Sequence, residues 1–373
     1  MIPNREEISM GIFIAVGLFA LAIALGSLYY LSTRFRRFGW MKKLADFDKK
    51  RIKLFSFFAV LVLIIPAFLS FLPTAVVILH LVVFWALCDL VGHLVQKFHK
   101  RIFLRYYQGA IAIAITAVYM ICAWHASQSV CQTNYHLQTN KNIDPLRIVL
   151  IADSHLGDIM SGKDFADEMQ KVQNTNPDIV VIAGDFVDDD TSKVELAVAC
   201  HALSKLKTTY GVYYVFGNHD KGFFSSRDFT EEDLREQLTQ NHVTILEDEV
   251  VLLNDSIYLI GRQDRSTKRA EICDLTSDLD PSKYTIVLNH QPNDYDAEAK
   301  CKVDLVLSGH THGGHIFPLG IIGYVFGAND QVYGLEQRDQ TQFIVSSGIS
   351  GWGIPFKTGA ISEFVVIDIN QTP

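Results

Sequence analysis

Four short stretches in the second half of the chain carry side chains of the kinds that bind metal ions. They are Asp153-Ser154-His155, Gly184-Asp185-Phe186-Val187-Asp188, Gly217-Asn218-His219-Asp220 and Gly309-His310-Thr311-His312, with a lone His290 between the last two. In order, Asp153, His155, Asp185, Asn218, His290, His310 and His312 make seven oxygen or imidazole donors. Donors of this hardness suit Mn, Fe or Zn rather than Ca. Seven are enough for two adjacent ions sharing one carboxylate, and ions held roughly 3.5–4 Å apart suit phosphoester hydrolysis. Strands often end in Gly-Asp or Gly-Asn turns without any function. That accounts for one or two of these stretches, not for the whole run.

Each stretch sits where a strand should end. Apolar runs at 147–151, 179–183, 212–216, 285–288 and 305–307 lead into the five ligand-bearing loops. This pattern predicts ligands gathered at one edge of a sheet, where α/β folds place their sites. Gly184, Gly217 and Gly309 fit turns in which a side chain would block the backbone or crowd the ions. Residues 161–174 and 193–207 read as helices, and Thr230 reads as an N-cap with Asp233 in the place of the capping-box acid. Further strand-like pieces fall at 250–253, 257–260, 342–346 and 363–369. Residues 317–337, with Gly320, Gly323, Gly327 and Gly334, read as a loop-rich lid beside the last ligands.

In order and spacing these motifs resemble the calcineurin-like metallophosphoesterase superfamily, and within it the small membrane-anchored bacterial phosphoesterases. The resemblance implies an α/β domain of two packed β-sheets flanked by helices, in four layers αββα. It implies two divalent metal ions, one held by Asp153, His155 and His312, the other by Asn218, His290 and His310, with Asp185 bridging both. Mn is the first choice, with Fe or Zn as alternatives. Water activated at the pair would attack phosphorus. His219 would lie beside the leaving oxygen as general acid or stabilising cation, and Asp188 would hold it oriented and protonated. Asp189 and Asp190 receive no role and read as solvated loop carboxylates. Two positions depart from the pattern. His315 stands where the relatives typically carry Gln, and reads either as a site residue or as a plain loop histidine. The segment 351–357 resembles a Gly-rich, Arg-ending segment on the relatives' substrate side, but ends in Lys357, which offers phosphate a point charge and no bidentate grip.

At 373 residues with 49% hydrophobic content, the chain has room for two domains, and its apolar excess lies in the first third. Apolar stretches at 10–31, 54–71, 74–94 and 108–124 read as four membrane spans, with the first long enough to cross unaided. Pro66 predicts a kink, and the residues Phe71, Leu72, Pro73 and Thr74 a tight turn between the second and third spans. The fourth span is the shortest, and three spans plus a peripheral helix is the alternative. A cleaved signal peptide fits poorly, because the first span is preceded by Arg5, Glu6 and Glu7 and no small-residue cleavage site follows it. Arg34, Arg36, Arg37, Lys42, Lys43, Lys49, Lys50, Arg51 and Lys53 crowd the first loop, and Lys97, Lys100, Arg101 and Arg105 the second. Both loops should then be cytoplasmic, placing everything after the fourth span outside the cytoplasm. Basic residues confined to membrane edges in a chain of net charge −8 argue against a nucleic-acid partner. Asp89 and His93, on one face of the third span, read as polar groups reaching water at its cytoplasmic end.

Six cysteines without a CxxC permit one or two disulfides outside the membrane but fix no pairing. The expected organisation is a transmembrane domain at 1–125, a linker or ordered edge at 126–144, and a metallophosphoesterase domain at 145–373. The expected function is a membrane-anchored, dinuclear-metal-dependent phosphoester hydrolase, with the lipid bilayer as partner and a phospholipid or other envelope phosphodiester or pyrophosphate as substrate. The rivals are a cytoplasmic-facing UDP-diacylglucosamine-type pyrophosphatase and a non-catalytic membrane scaffold. Oligomeric state is not written in the sequence.

Overall fold

The computed structural model describes residues 5–98, 106–222 and 226–372. It divides into two units, Met1–Cys122 and Ala123–Pro373. Helices α1 (Arg5–Phe35), α2 (Gly39–Leu44), α3 (Lys49–Ile64) and α4 (Phe71–Phe98) belong to the first, and α5 (Gln108–Gln128) leads into the second. Among the described residues, Leu18–Phe35, Lys49–Phe68, Phe71–Phe98 and Gln108–Gln128 are four helical stretches long and apolar enough to cross a membrane. A helix satisfies its own backbone groups, which hydrocarbon cannot do. The last of the four is 21 residues long, against the roughly 20 that a bilayer requires. Lys100, Arg101 and Arg105 of the second basic loop, and the side chains of Arg5, Glu6 and Glu7, lie outside the described part.

Three expectations for this unit are corrected. Phe71, Leu72, Pro73 and Thr74 are not a turn but the first turn of α4. Proline is tolerated there because the first amides of a helix have no intrahelical acceptor to lose. Pro66, instead of kinking a continuous helix, sits in a 3₁₀ turn, Ile65–Phe68, that ends α3. Asp89 is also more than a group reaching water. Its carboxylate meets Arg34 Nε at 2.7 Å and accepts from the Tyr106 hydroxyl at 3.0 Å. It thereby ties α1 to α4, beside a small core in which Phe35 and Phe38 pack edge-on against the buried Trp85.

The second unit is built on two six-stranded sheets. The first contains β1 (Val130–Thr139), β2 (Leu146–Ile151), β3 (Ile179–Ala183), β4 (Gly211–Val215), β5 (Val243–Ile245) and β12 (Ser362–Gln371), in the order β1-β12-β2-β3-β4-β5. The second contains β6 (Glu249–Leu253), β7 (Ile257–Gly261), β8 (Tyr284–Leu288), β9 (Leu305–Ser308), β10 (Gly334–Arg338) and β11 (Thr341–Val345), in the order β10-β11-β9-β8-β7-β6. Strands β2 to β5 run parallel, as do β7, β8, β9 and β11. β3 and β8 are buried along their whole length, which is why they read as unbroken apolar runs without alternation.

The sheets face each other across Leu150, Val181, Val215, Ile286, Leu307 and Ile344. Helices α6 (Gly162–Asn174), α7 (Lys193–Leu203) and α8 (Glu231–Gln240) cover the outer face of the first sheet with Phe165, Met169, Leu196, Leu234 and Leu238. Helices α9 (Ile272–Thr276) and α10 (Tyr295–Lys300) cover the second, where Tyr295 stacks on Phe343. Fully burying each such side chain contributes about 1.5–3 kcal/mol. These are the four expected layers. The capping boxes at Ser161 with Asp164, and at Thr230 with Asp233, start α6 and α8. Residues 130–139, within the stretch read as a linker or ordered edge, form an edge strand paired with β12 over its full length. Residues 317–337 are not loop throughout: they hold α11 (Leu319–Val325) and most of β10. A disulfide joins Cys273 in α9 to Cys301 just past α10.

Candidate metal centre

The ligand-type residues do not share one sheet edge, as their spacing suggested. Asp153 and His155 follow β2, Asp185 follows β3, and Asn218 and His219 follow β4, all in the first sheet. His290 follows β8, and His310 and His312 follow β9, in the second. Two sheets packed face to face bring both sets of carboxyl ends to one cleft. The backbone is bent sharply to do this: Asp153, His155, Asp185, His310 and His312 all take positive φ, between 40° and 71°. Non-glycine residues rarely adopt that region, and such strain collects at functional sites. The glycines leave no spare room. A Cβ on Gly217 would stand 2.2 Å from Asp185 Oδ1, and one on Gly309 would stand 2.6 Å from Asp153 Oδ2.

Asp153, His155 and His312 offer ligand atoms that all lie within 4.8 Å of one another, and so do Asp185, His290 and His310. Asn218 Oδ1 joins the second group, 3.2 Å from His290 Nε2. Asp185 Oδ2 lies 3.1 Å from His290 Nε2 and 3.7 Å from His155 Nε2, so it stands between the groups.

The hydrogen bonds fix which ring atoms carry protons. A carbonyl can only accept, so His290 Nδ1 donates to Ala183 O at 2.7 Å and His312 Nδ1 donates to Ser350 O at 3.2 Å. His155 Nδ1 is held by Asp188 Oδ2 at 2.9 Å. In neutral rings the proton-free Nε2 atoms then point inward, and those of His155 and His312 face each other at 3.2 Å. Lone pairs aimed at one another and at buried carboxylates require a positive charge among them. The residues therefore fit a pair of cations, with partners behind the histidines that fix their tautomers.

The proton affinities carry the same demand. Burial opposes a charge on His290, yet Asp185 holds its pKa up at about 10. Burial alone would raise Asp185, but His290 and His155 hold it well below the usual carboxylate range. Burial pushes His310 down to about 4 and His312 well below its ordinary value, which leaves both neutral and able to ligate.

Asp188 Oδ1 lies 3.2 Å from His219 Nδ1. Burial disfavours the charged ring, but Asp188 raises the His219 pKa above its ordinary value. Trp352 packs edge-on to His219, with ring centroids 4.8 Å apart. His315 lies inside the loop, its ring stacked on His312 and its Nε2 3.1 Å from Ile354 O. Lys357 does not line the cleft: it is 1% exposed and donates from Nζ to the carbonyls of Ser347 and Gly348. Burial pushes its pKa down to about 7. It braces the turn that carries Gly348 against Asp153 rather than meeting a phosphate.

Asp220 is the residue that sequence reasoning missed. It is fully buried and accepts from the amides of Asp185, Phe186, Val187 and Gly217 at 2.6–3.1 Å. One carboxylate therefore pins the loop after β3 to the loop after β4. Its place at the end of Gly217-Asn218-His219-Asp220 was the available signal.

Two facing sheets with an Asp/His/Asn cluster where their strands end define a metallophosphoesterase. The chain belongs to the calcineurin-like phosphoesterase family, whose profile matches residues 146–314. It is 36% identical to a metallophosphoesterase of Helicobacter pylori over 232 residues, which is 60% of this chain and 59% of that one. It is 32% identical to one of Bacillus subtilis, over 58% of this chain and 81% of the other. A Bos taurus transmembrane protein with metallophosphoesterase domain is 30% identical over 71% of this chain and 63% of its own. The chain thus spans under two thirds of the Helicobacter and Bos taurus relatives.

Proposed function

We propose that the protein is a membrane-anchored phosphoester hydrolase working with two divalent metal ions. The observation that carries this reading is the set of Asp, His and Asn ligand atoms converging from five loops, with Asp185 between the two groups. On this reading Asp153, His155 and His312 would hold one ion, Asn218, His290 and His310 the other, and Asp185 both. When bound, such ions neutralise phosphoryl charge and acidify water, and Mn suits the mixed donor set. His219 would present its proton to the leaving oxygen from Nε2, and Asp188 would keep that ring charged and correctly turned. A binding-only scaffold has no need of this His219–Asp188 pair.

The four apolar helices support a multi-pass anchor, with spans within 1–125 and the hydrolase at 145–373 entered through 126–144. β1 begins two residues after α5 ends, so a bilayer-crossing α5 would join the hydrolase unit to the membrane without a long linker. A phospholipid or another lipid-borne phosphodiester or pyrophosphate is the substrate we favour. The basic first loop and the Cys273–Cys301 disulfide support an extracytoplasmic hydrolase unit, since disulfides persist in oxidising compartments.

The test is turnover of bis(p-nitrophenyl) phosphate and p-nitrophenyl phosphate by the purified full chain before and after exhaustive chelation. Activity should vanish on chelation and return with Mn²⁺. Undiminished turnover by the chelated protein would overturn the two-metal reading.

A further inference from the structure

Between Gly313 and Asn329 the chain has no Asp, Glu, Lys or Arg. Within that run the structure leaves large apolar side chains in the open: Leu319 is 58% exposed, Val325 70% and Phe326 83%, and Phe317, Ile321, Ile322 and Tyr324 are also exposed. An apolar cluster of this kind on a hydrolase domain marks an interaction surface. It is also joined to the metal centre. Gly313 and Gly314 directly follow His312, and α11 lies on that loop through a glycine-to-glycine contact: a Cβ on Gly320 would stand 2.5 Å from Gly314 Cα. Against the same two glycines lies a cavity of about 380 Å³ whose walls include Phe317, Ile321, Tyr324 and Val332.

We propose that α11 and this cavity form a hydrocarbon-binding subsite, which takes the acyl or alkyl chain of the phosphoester whose head sits at the metal centre. Three observations select an amphiphile over a peptide or a sugar. The walls are mainly apolar, with Gln331, Tyr324 and Tyr333 as their polar members, and no residue lining them carries a charge. One wall of the cavity is formed by Gly313 and Gly314, the two residues after His312, so hydrocarbon held there would lie beside the loop that carries a metal-ligand residue. The unit also begins at the end of a helix apolar enough to lie in a bilayer, where such a molecule is abundant. Exposed apolar residues that cost solubility in water are satisfied when hydrocarbon covers them. The inference rests on the metal-dependent hydrolase reading and adds the place where the substrate's hydrocarbon would lie.

The test uses the full chain with Mn²⁺ in nanodiscs, with n-butyl and n-octyl phosphate as probes. Each is measured as a competitive inhibitor of bis(p-nitrophenyl) phosphate turnover, and by direct calorimetric binding. In the parent protein n-octyl phosphate should bind at least tenfold more tightly than n-butyl phosphate. Ile321→Asp and Tyr324→Asp should remove that gain while leaving the n-butyl constant and the turnover of the small diester unchanged. The milder Ile321→Ala, which adds no charge, should remove part of it. Equal affinities for both probes in the parent, or an undiminished gain in the Asp variants, would overturn the subsite. Absence of turnover with any metal would sink the hydrolase reading instead, and calorimetry would still report on the chain-length effect.

Discussion

Asp188 reaches His219 with one oxygen at 3.2 Å while its other oxygen holds His155 at 2.9 Å. A single carboxylate therefore sets the tautomer of a metal-facing histidine and of the histidine we assign as general acid. Because both rings use Nδ1 for this contact, both leave Nε2 for other partners, which for His155 are His312 and Asp185. Removing the carboxylate charge should consequently affect proton delivery more than metal retention, since His155 keeps its packing against His312 and His219.

Asp188→Asn should change the pH–rate profile. Asp188 raises the His219 pKa, and a general acid works only while protonated, so turnover is present below that pKa and lost as pH rises through it. Without the charge the alkaline limb should move to lower pH, with metal content retained. A profile superimposable on the parent's would remove Asp188 from the proton path.

His219→Ala and Asp185→Ala should separate chemistry from metal binding. Loss of a general acid lowers turnover by about 10²–10⁴-fold and need not cost metal. Loss of the carboxylate that lies 3.1 Å from His290 and 3.7 Å from His155 should empty the centre. Elemental analysis beside rates distinguishes the two. A metal-free His219→Ala protein would show that the histidine is a ligand and not an acid.

Asp220→Asn should weaken the fold and the centre together. The amide offers one acceptor where the carboxylate serves four backbone N–H groups, and each buried donor left without its partner costs about 1–3 kcal/mol. Asp185 rides on one of the freed amides, so metal affinity should fall along with the denaturation midpoint. A variant with parent stability and a parent metal count would show that the two loops hold without this clamp.

The sequence disclosed the residue types of the centre well and their scaffold less well. Asp153, His155, Asp185, His290, His310 and His312 could be chosen because their donors are chemically distinctive and stand at strand ends. That those ends belong to two sheets is a tertiary fact that local patterning does not carry. Asp220 escaped because its partners are backbone amides, which every residue has, so its role exists only once the loops after β3 and β4 meet. Lys357 misled for a related reason. A Gly-rich approach such as Gly351-Trp352-Gly353 has no periodicity to say whether the lysine ends inside or outside. Pro73 likewise reads as a turn residue when it is equally at home in a helix's first turn.

The disulfide and the apolar helices together make sidedness testable. The first basic loop holds nine Lys and Arg residues and the second four, and in loops this short such a bias sets orientation. Were all four helices to cross, the hydrolase unit would lie outside the cytoplasm, where Cys273 and Cys301 would stay oxidised. A reporter fused after Pro373 should be active only in the oxidising compartment. Cys273 and Cys301 in protein trapped by alkylation on extraction should react only after reduction. The decisive element is α5, the last of the four helices. If the reporter worked only in the cytoplasm and both cysteines alkylated directly, α5 would not cross and the count would fall to three. The hydrolase would then face the cytoplasm, and a nucleotide-linked lipid of the UDP-diacylglucosamine type would replace an envelope phosphoester as the substrate to try first.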